Sequence, residues 1–168
     1  VLTLLAISAA ICPALVRTSI RARSILMLLF CVSPLLMGAS SGPELGWFER
    51  VDARDIQEWM ARLLWNGTYP VLPWLFYILL GTVLQDLRED YRARERGIVL
   101  GIIATSITLA MSVAEGIDWA LTSGDAVLTF FPASMPFLVV SGTMVALALR
   151  ILEGKEESGG EPLMGDRL

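Results

Sequence analysis

Two short segments place proline beside polar side chains at the edge of long apolar runs. The first is NGTYPVLPW, in which Pro70 and Pro73 lie close to Asn66 and Tyr69. Proline removes a backbone donor, so these two leave unpaired polar groups at the boundary of a membrane helix, as a substrate pocket requires. Asn66, Tyr69 and Trp74 are therefore candidate substrate-binding residues. The alternative is an ordinary helix start in which Trp74 is a packing or interfacial residue.

The second segment is TFFPASMPF, in which Pro132 and Pro136 flank the small hydroxyl residue Ser134. We predict that this segment and NGTYPVLPW open on the same side of the membrane and that Ser134 joins the same substrate-binding cavity. The alternative is that the two prolines produce kinks that serve only helix packing.

A third candidate is the turn DLREDYRARERG, which carries Arg88, Arg92, Arg94 and Arg96. Arginines of this density could hold the phosphates of a donor such as a coenzyme. Acidic residues alternate with them, however, and this favours a turn whose charges pair with one another.

The composition excludes several kinds of chemistry. There is no histidine, which removes a histidine general base or a histidine-dependent triad from this chain. Cys12 and Cys31 lie singly in apolar runs, so we predict no metal site. The net charge of −4 provides no basic face, and we predict no nucleic-acid partner. No acid or base lies well inside an apolar run, which disfavours a proton-coupled transporter.

Long apolar runs must position the two proline-marked segments. Hydrophobic residues make up 55% of the chain and cluster in these runs. The sequence predicts an all-α, polytopic membrane bundle over residues 1–152, with the lipid bilayer as its partner, followed by a flexible tail over 153–168. About five transmembrane helices are expected, over residues 1–16, 25–39, 69–85, 97–113 and 126–149. Gly97 and Gly101 form a GxxxG pattern that predicts close helix packing.

Basic residues predict the orientation. Ten of the 13 fall in the first turn, the third turn and the tail: Arg17, Arg21, Arg23, Arg88, Arg92, Arg94, Arg96, Arg150, Lys155 and Arg167. The positive-inside rule then places the N-terminus outside and the C-terminus in the cytoplasm of a plasma (inner) membrane protein. All five tryptophans fall in the outer half of this arrangement.

The longest outer loop contains an amphipathic pattern over residues 52–65. An apolar stripe recurs at helical spacing and comprises Ile56, Trp59, Met60, Leu63 and Leu64. Asp52 is the predicted N-cap, with Asp55 in the first turn. The pattern indicates an interfacial helix on the outer leaflet or over the mouth of the bundle. The alternative is a helix packed against an extramembrane domain.

The stretch NGTYPVLPWLFYILLG resembles membrane proteins similar to heparan-alpha-glucosaminide N-acetyltransferase. Such proteins often carry a G-x-x-P-x-x-P-W pattern closed by a later glycine, and here Gly67, Pro70, Pro73, Trp74 and Gly81 fill it. The later FFPASMPFLVVSGTMVALAL is similar to that family's proline-marked helix. The resemblance covers roughly residues 66–149.

The resemblance implies a transmembrane acyltransferase that passes an acyl group from a cytoplasmic donor, acyl-CoA, to an acceptor on the outer side, often a sugar. The family's catalytic histidine has no counterpart here. Because the chain also opens on Val1 inside an apolar run, we predict a fragment that packs on other helices of its parent protein. The alternatives are a non-enzymatic bundle that binds or transports a lipid or small solute, and a structural membrane subunit.

Overall fold

A computed structural model describes residues 2–157 of the protein. The helices are α1 Leu2–Leu15, α2 Ile20–Met37, α3 Trp47–Val51, α4 Ile56–Ala61, α5 Val71–Asp86, α6 Tyr91–Glu115 and α7 Met135–Glu157. A 3₁₀ turn, Gly38–Ser41, follows α2, and a π-helical turn, Arg62–Asn66, follows α4. Two short strands, β1 Asp118–Leu121 and β2 Ala126–Thr129, separate α6 from α7.

Three helices are long and apolar enough to cross a membrane: α2 with its 3₁₀ turn, α6, and the Met135–Gly154 part of α7. A fourth crossing exists if the segments Ile56–Asn66 and Val71–Asp86, bent by 42° at their junction, count as one broken span. The helix expected over 1–16 is only 14 residues long. The membrane-helical class is therefore supported, whereas five transmembrane helices are not confirmed.

The expected helix over 126–149 begins nine residues later than its apolar run. Residues 126–129 form β2, which pairs in parallel with β1 in the register Asp118↔Ala126. Pro132 lies in the turn after β2, and Pro136 is the second residue of α7, where a missing N–H costs no helical hydrogen bond. The fold is thus helical as predicted, with one two-stranded sheet that was not predicted. At its other end α7 runs to Glu157, into the predicted tail, and residues 158–168 of that tail lie outside the described residues.

The core centres on α5, which packs most extensively against α2 and also contacts α7 and α1. Leu79 of α5 and Leu138 of α7 are fully buried, and Leu138 forms one cluster with Phe76, Leu80 and Cys31. Helix α6 lies at the edge of the bundle, because it packs chiefly on α7 and leaves many apolar side chains exposed.

The two ends of the bundle differ in the side chains that meet there. At one end Arg23 of α2 is buried, forms an ion pair with Asp86 of α5, and donates through Nη1 to the Thr82 carbonyl at 3.3 Å. We call this the arginine-rich end. At the other, tryptophan-rich end, Trp47 of α3 meets Phe131 with ring centroids 5.3 Å apart.

The amphipathic segment forms a shorter helix than its pattern predicts. Asp55, and not Asp52, caps α4, because its carboxylate accepts the Glu58 N–H at 2.8 Å. Asp52 instead ends α3. The side chain of Ile56 is 80% exposed, and Trp59 is also exposed. The exposed apolar surface therefore exists, but α4 has only six residues and continues as the π-helical turn.

The contact between α6 and α7 gives a test of the predicted helix packing. A Cβ at Gly101 would lie 2.3 Å from Thr143 Oγ1, whereas a Cβ at Gly97 would meet nothing within 4 Å. Gly101→Ala should destabilise the protein by about 1–3 kcal/mol through this overlap. Gly97→Ala should be neutral or stabilising, since alanine favours the helix by roughly 0.5–1 kcal/mol. Thermal unfolding followed by circular dichroism in detergent measures both, and equal melting temperatures would contradict the packing.

Candidate functional site

The two proline-marked segments meet at the tryptophan-rich end of the bundle. The rings of Tyr69 and Trp74 are tilted against each other with centroids 5.1 Å apart, and Phe130 lies 6.1 Å from Tyr69 and 5.0 Å from Trp74. Phe131 lies 5.9 Å from Tyr69. Edge-to-face pairs of this kind stabilise by about 0.5–1.5 kcal/mol each beyond the area that they bury. The segments are therefore joined by an aromatic cluster of Tyr69, Trp74, Phe130 and Phe131.

Further rings extend the contacts of the aromatic cluster. Trp74 also faces Tyr77 at 5.7 Å and Phe137 at 6.3 Å. Its Nε1–H is buried and has no hydrogen-bond partner within the described part of the chain. Tyr69 and Trp74 thus lie together, in contact with the rings of the second proline-marked segment. The polar groups of this cluster are the Tyr69 hydroxyl and the unpaired indole N–H of Trp74.

Ser134 is engaged in local structure. Its Oγ accepts the Thr129 N–H at 3.1 Å and the Phe137 N–H at 3.3 Å, and donates to the Val127 carbonyl at 3.1 Å. These bonds cap α7 and fasten its start to β2. A serine hydroxyl has one donor and two acceptor sites, so these three bonds use its capacity. The structure therefore places Ser134 as a helix cap.

Asn66 lies in an open groove of about 530 Å³ beside the aromatic cluster. The polar and aromatic side chains that share this groove are those of Ser40, Glu44, Arg62, Trp65 and Asn66. The Asn66 Oδ1 atom is buried and has no hydrogen-bond partner among the residues that the structure describes. We call this the Asn66 groove. Sequence reasoning missed Glu44 and Arg62, although the Gly42-Pro43 turn beside Glu44 is a signal for a shaped loop.

Arg50 fixes the backbone that forms the Asn66 groove. Its side chain is 3% exposed and donates to the carbonyls of Leu45 at 3.1 Å, Ser41 at 3.4 Å and Asn66 at 3.2 Å, as well as to Gly42. Burial, with the nearby charge of Arg62 as a smaller cause, lowers the pKa of the Arg50 guanidinium. The groove is thus fixed by a buried cation that binds backbone oxygens.

At the arginine-rich end the charged residues pair between helices. Glu153 of α7 forms an ion pair with Arg94 of α6 and lies 3.7 Å from the Nε of Arg88. Arg150 pairs with Glu95 in the same way. The expected pairing within the turn is therefore replaced by pairing to α7, which sequence spacing could not reveal because the partners lie 55 and 59 positions apart.

Within residues 2–157, no three histidine, cysteine or acidic side chains lie close enough together to hold a metal ion. The free cysteines Cys12 and Cys31 belong to different helices. Comparisons of this chain with protein-family models, curated proteins and solved structures give no match.

Proposed function

We propose that this chain is the acceptor-binding part of a membrane protein resembling transmembrane acyltransferases, and that the Asn66 groove receives the acceptor. The observation that carries the proposal is the unpaired, buried Oδ1 of Asn66 at a proline-broken helix start. A buried carbonyl oxygen without a donor costs about 1–3 kcal/mol, and a ligand hydroxyl or ammonium group would recover it once the Asn66 side chain rotates to present Oδ1 to the groove.

The groove chemistry favours a sugar acceptor over a wholly apolar one. Glu44 offers carboxylate oxygens, Arg62 offers guanidinium donors, and Trp65 offers an aromatic face. Sugars carry hydroxyls that donate and accept, and apolar C–H faces that stack on such rings. A lipid acceptor would enter the same groove through a hydroxylated headgroup.

The distribution of basic residues supports an outward-facing groove. The arginine-rich end lies in the cytoplasm under the positive-inside rule, and the tryptophan-rich end then faces outside. In the proposed arrangement acyl-CoA is the cytoplasmic donor, and the catalytic base is supplied from outside this chain, which contains no histidine.

The proposal predicts binding of an amino sugar that depends on Asn66. With the chain in lipid nanodiscs, titration with glucosamine should quench tryptophan fluorescence, because Trp65 lines the groove. Asn66→Ala should weaken the affinity by about tenfold, the equivalent of one lost hydrogen bond of ~1.4 kcal/mol. Gln57→Ala is the control, since Gln57 is an exposed amide on α4 outside the groove. Equal affinities of wild type and Asn66→Ala would contradict the proposal.

A specific observation favours the non-enzymatic alternative, a bundle that binds or transports a lipid or small solute. The hydroxyls of Ser33 and Thr143 donate to carbonyls of their own helices, which is the arrangement expected of residues with a packing role. Transfer of radiolabel from acetyl-CoA to glucosamine by the full-length protein separates the two functions. Glucosamine binding without transfer would favour the non-enzymatic bundle.

A further inference from the structure

The arginine-rich end carries a groove that the proposed acceptor site does not use. Its volume is about 420 Å³, and its charged and polar walls are formed by Arg88, Tyr91, Arg94, Arg150 and Glu153. Three guanidinium groups thus line the groove with a single carboxylate among them. We call this the Arg94 groove, and its walls have an excess of positive charge.

The hydrogen bonds of these arginines leave donors unused. Arg94 is only 8% exposed and pairs through Nη1 with Glu153, yet its Nε–H is buried without an acceptor in the described part of the chain. Arg88 lies 3.7 Å from the same carboxylate, beyond hydrogen-bond distance. Arg150 is already bonded to Glu95 and, at 3.0 Å, to the Tyr91 hydroxyl. The guanidinium N–H donors that still lack an acceptor therefore belong chiefly to Arg94 and Arg88.

We propose that the Arg94 groove binds the phosphate of an anionic phospholipid headgroup. A phosphate diester offers oxygens that two guanidinium groups can engage together, and it balances the positive excess. Basic pockets at the ends of membrane helices bind such headgroups.

The surroundings favour a lipid over a soluble phosphate. Ile151 of α7 lines the groove and is 57% exposed. The apolar side chains of Leu152 on α7 and of Val99 and Leu100 on α6 are exposed as well. Acyl chains of a lipid held by its phosphate can cover such surface, whereas a free phosphate leaves it bare.

Native mass spectrometry of the chain in detergent, with phosphatidylglycerol and phosphatidylcholine as probes, tests the site. We expect wild type to retain phosphatidylglycerol preferentially. Arg94→Gln should reduce its affinity by about tenfold, since a buried charge-assisted bond is lost. Arg88→Gln should reduce it about fivefold; this side chain is 56% exposed, so the variant keeps the fold.

Arg92→Gln is the matched control, because Arg92 is exposed on the first turn of α6 and does not line the groove. Its phosphatidylglycerol affinity should equal that of wild type. A loss in Arg92→Gln as large as in Arg88→Gln would overturn the site in favour of general charge attraction. Displacement of phosphatidylglycerol by millimolar inorganic phosphate would overturn the lipid assignment in favour of a soluble phosphate ligand.

Discussion

Replacing Arg50 with glutamine is expected to destabilise the protein by about 3–5 kcal/mol and to lower its apparent melting temperature by ~10 °C. The guanidinium of Arg50 joins four backbone carbonyls from the loop after α2 and from the π-helical turn. Glutamine cannot reach all of them, so several buried oxygens lose their donors. Intrinsic tryptophan fluorescence during heating reports on the change, because Trp47, Trp65 and Trp74 lie at this end.

Arg54→Gln provides the matched control for Arg50. Arg54 is exposed, and among the described contacts only its backbone N–H forms a hydrogen bond, to Glu58. Its replacement should leave the melting temperature within about 2 °C of wild type. If both variants melt at the same temperature, Arg50 does not hold the loop as its geometry indicates.

Gly67→Ala should have a comparable cost, about 3–5 kcal/mol, for a steric reason. A Cβ at Gly67 would lie 2.1 Å from the carbonyl oxygen of Arg62, which is backbone and therefore cannot rotate away. Relief requires the π-helical turn to rearrange, and the Arg50 bond to Asn66 would be lost with it. Thermal unfolding should show a lower midpoint, and glucosamine binding at the Asn66 groove should weaken in parallel.

Gly81→Ala tests whether the effect at Gly67 is local. Gly81 belongs to α5, and a Cβ there would meet nothing within 4 Å. This variant should be as stable as wild type or slightly more stable, by up to about 1 kcal/mol. A large loss at Gly81, or none at Gly67, would show that the close approach of Gly67 to Arg62 does not limit stability.

Much of the fold follows from the sequence because hydrophobic blocks and charge are local signals. The positions of α2 and α6 were predictable in this way. The start of α7 was not, since the residues of β2 are as apolar as those of a helix and only Pro132 and Pro136 mark the boundary. Asp52 was predicted as the N-cap of α4, but Asp55 occupies that position. The two aspartates offer equivalent capping oxygens, and Asp52 is already the C-cap of α3.

The candidate site was predictable only in outline. Two proline-marked segments pointed to one end of the bundle, and the ring contacts of Tyr69 with Phe130 agree with that expectation. The hydrogen bonds of Arg50 to backbone carbonyls could not be predicted, because every residue has a carbonyl and the sequence does not indicate which of them accept. The capping role of Ser134 likewise depends on β2, whose pairing was not expected.

The burial of α5 has a consequence for biogenesis. At 16 residues it spans only ~24 Å, less than the ~30 Å hydrocarbon layer, although it contributes more buried apolar side chains than any other described helix. Helices such as α2 and α6 can partition into lipid individually during synthesis. Helix α5 gains its stability from neighbours, so its stable placement requires α2 and is completed only after α7 has been synthesised. We therefore expect the burial of α5 to set the order in which the helices of this chain assemble.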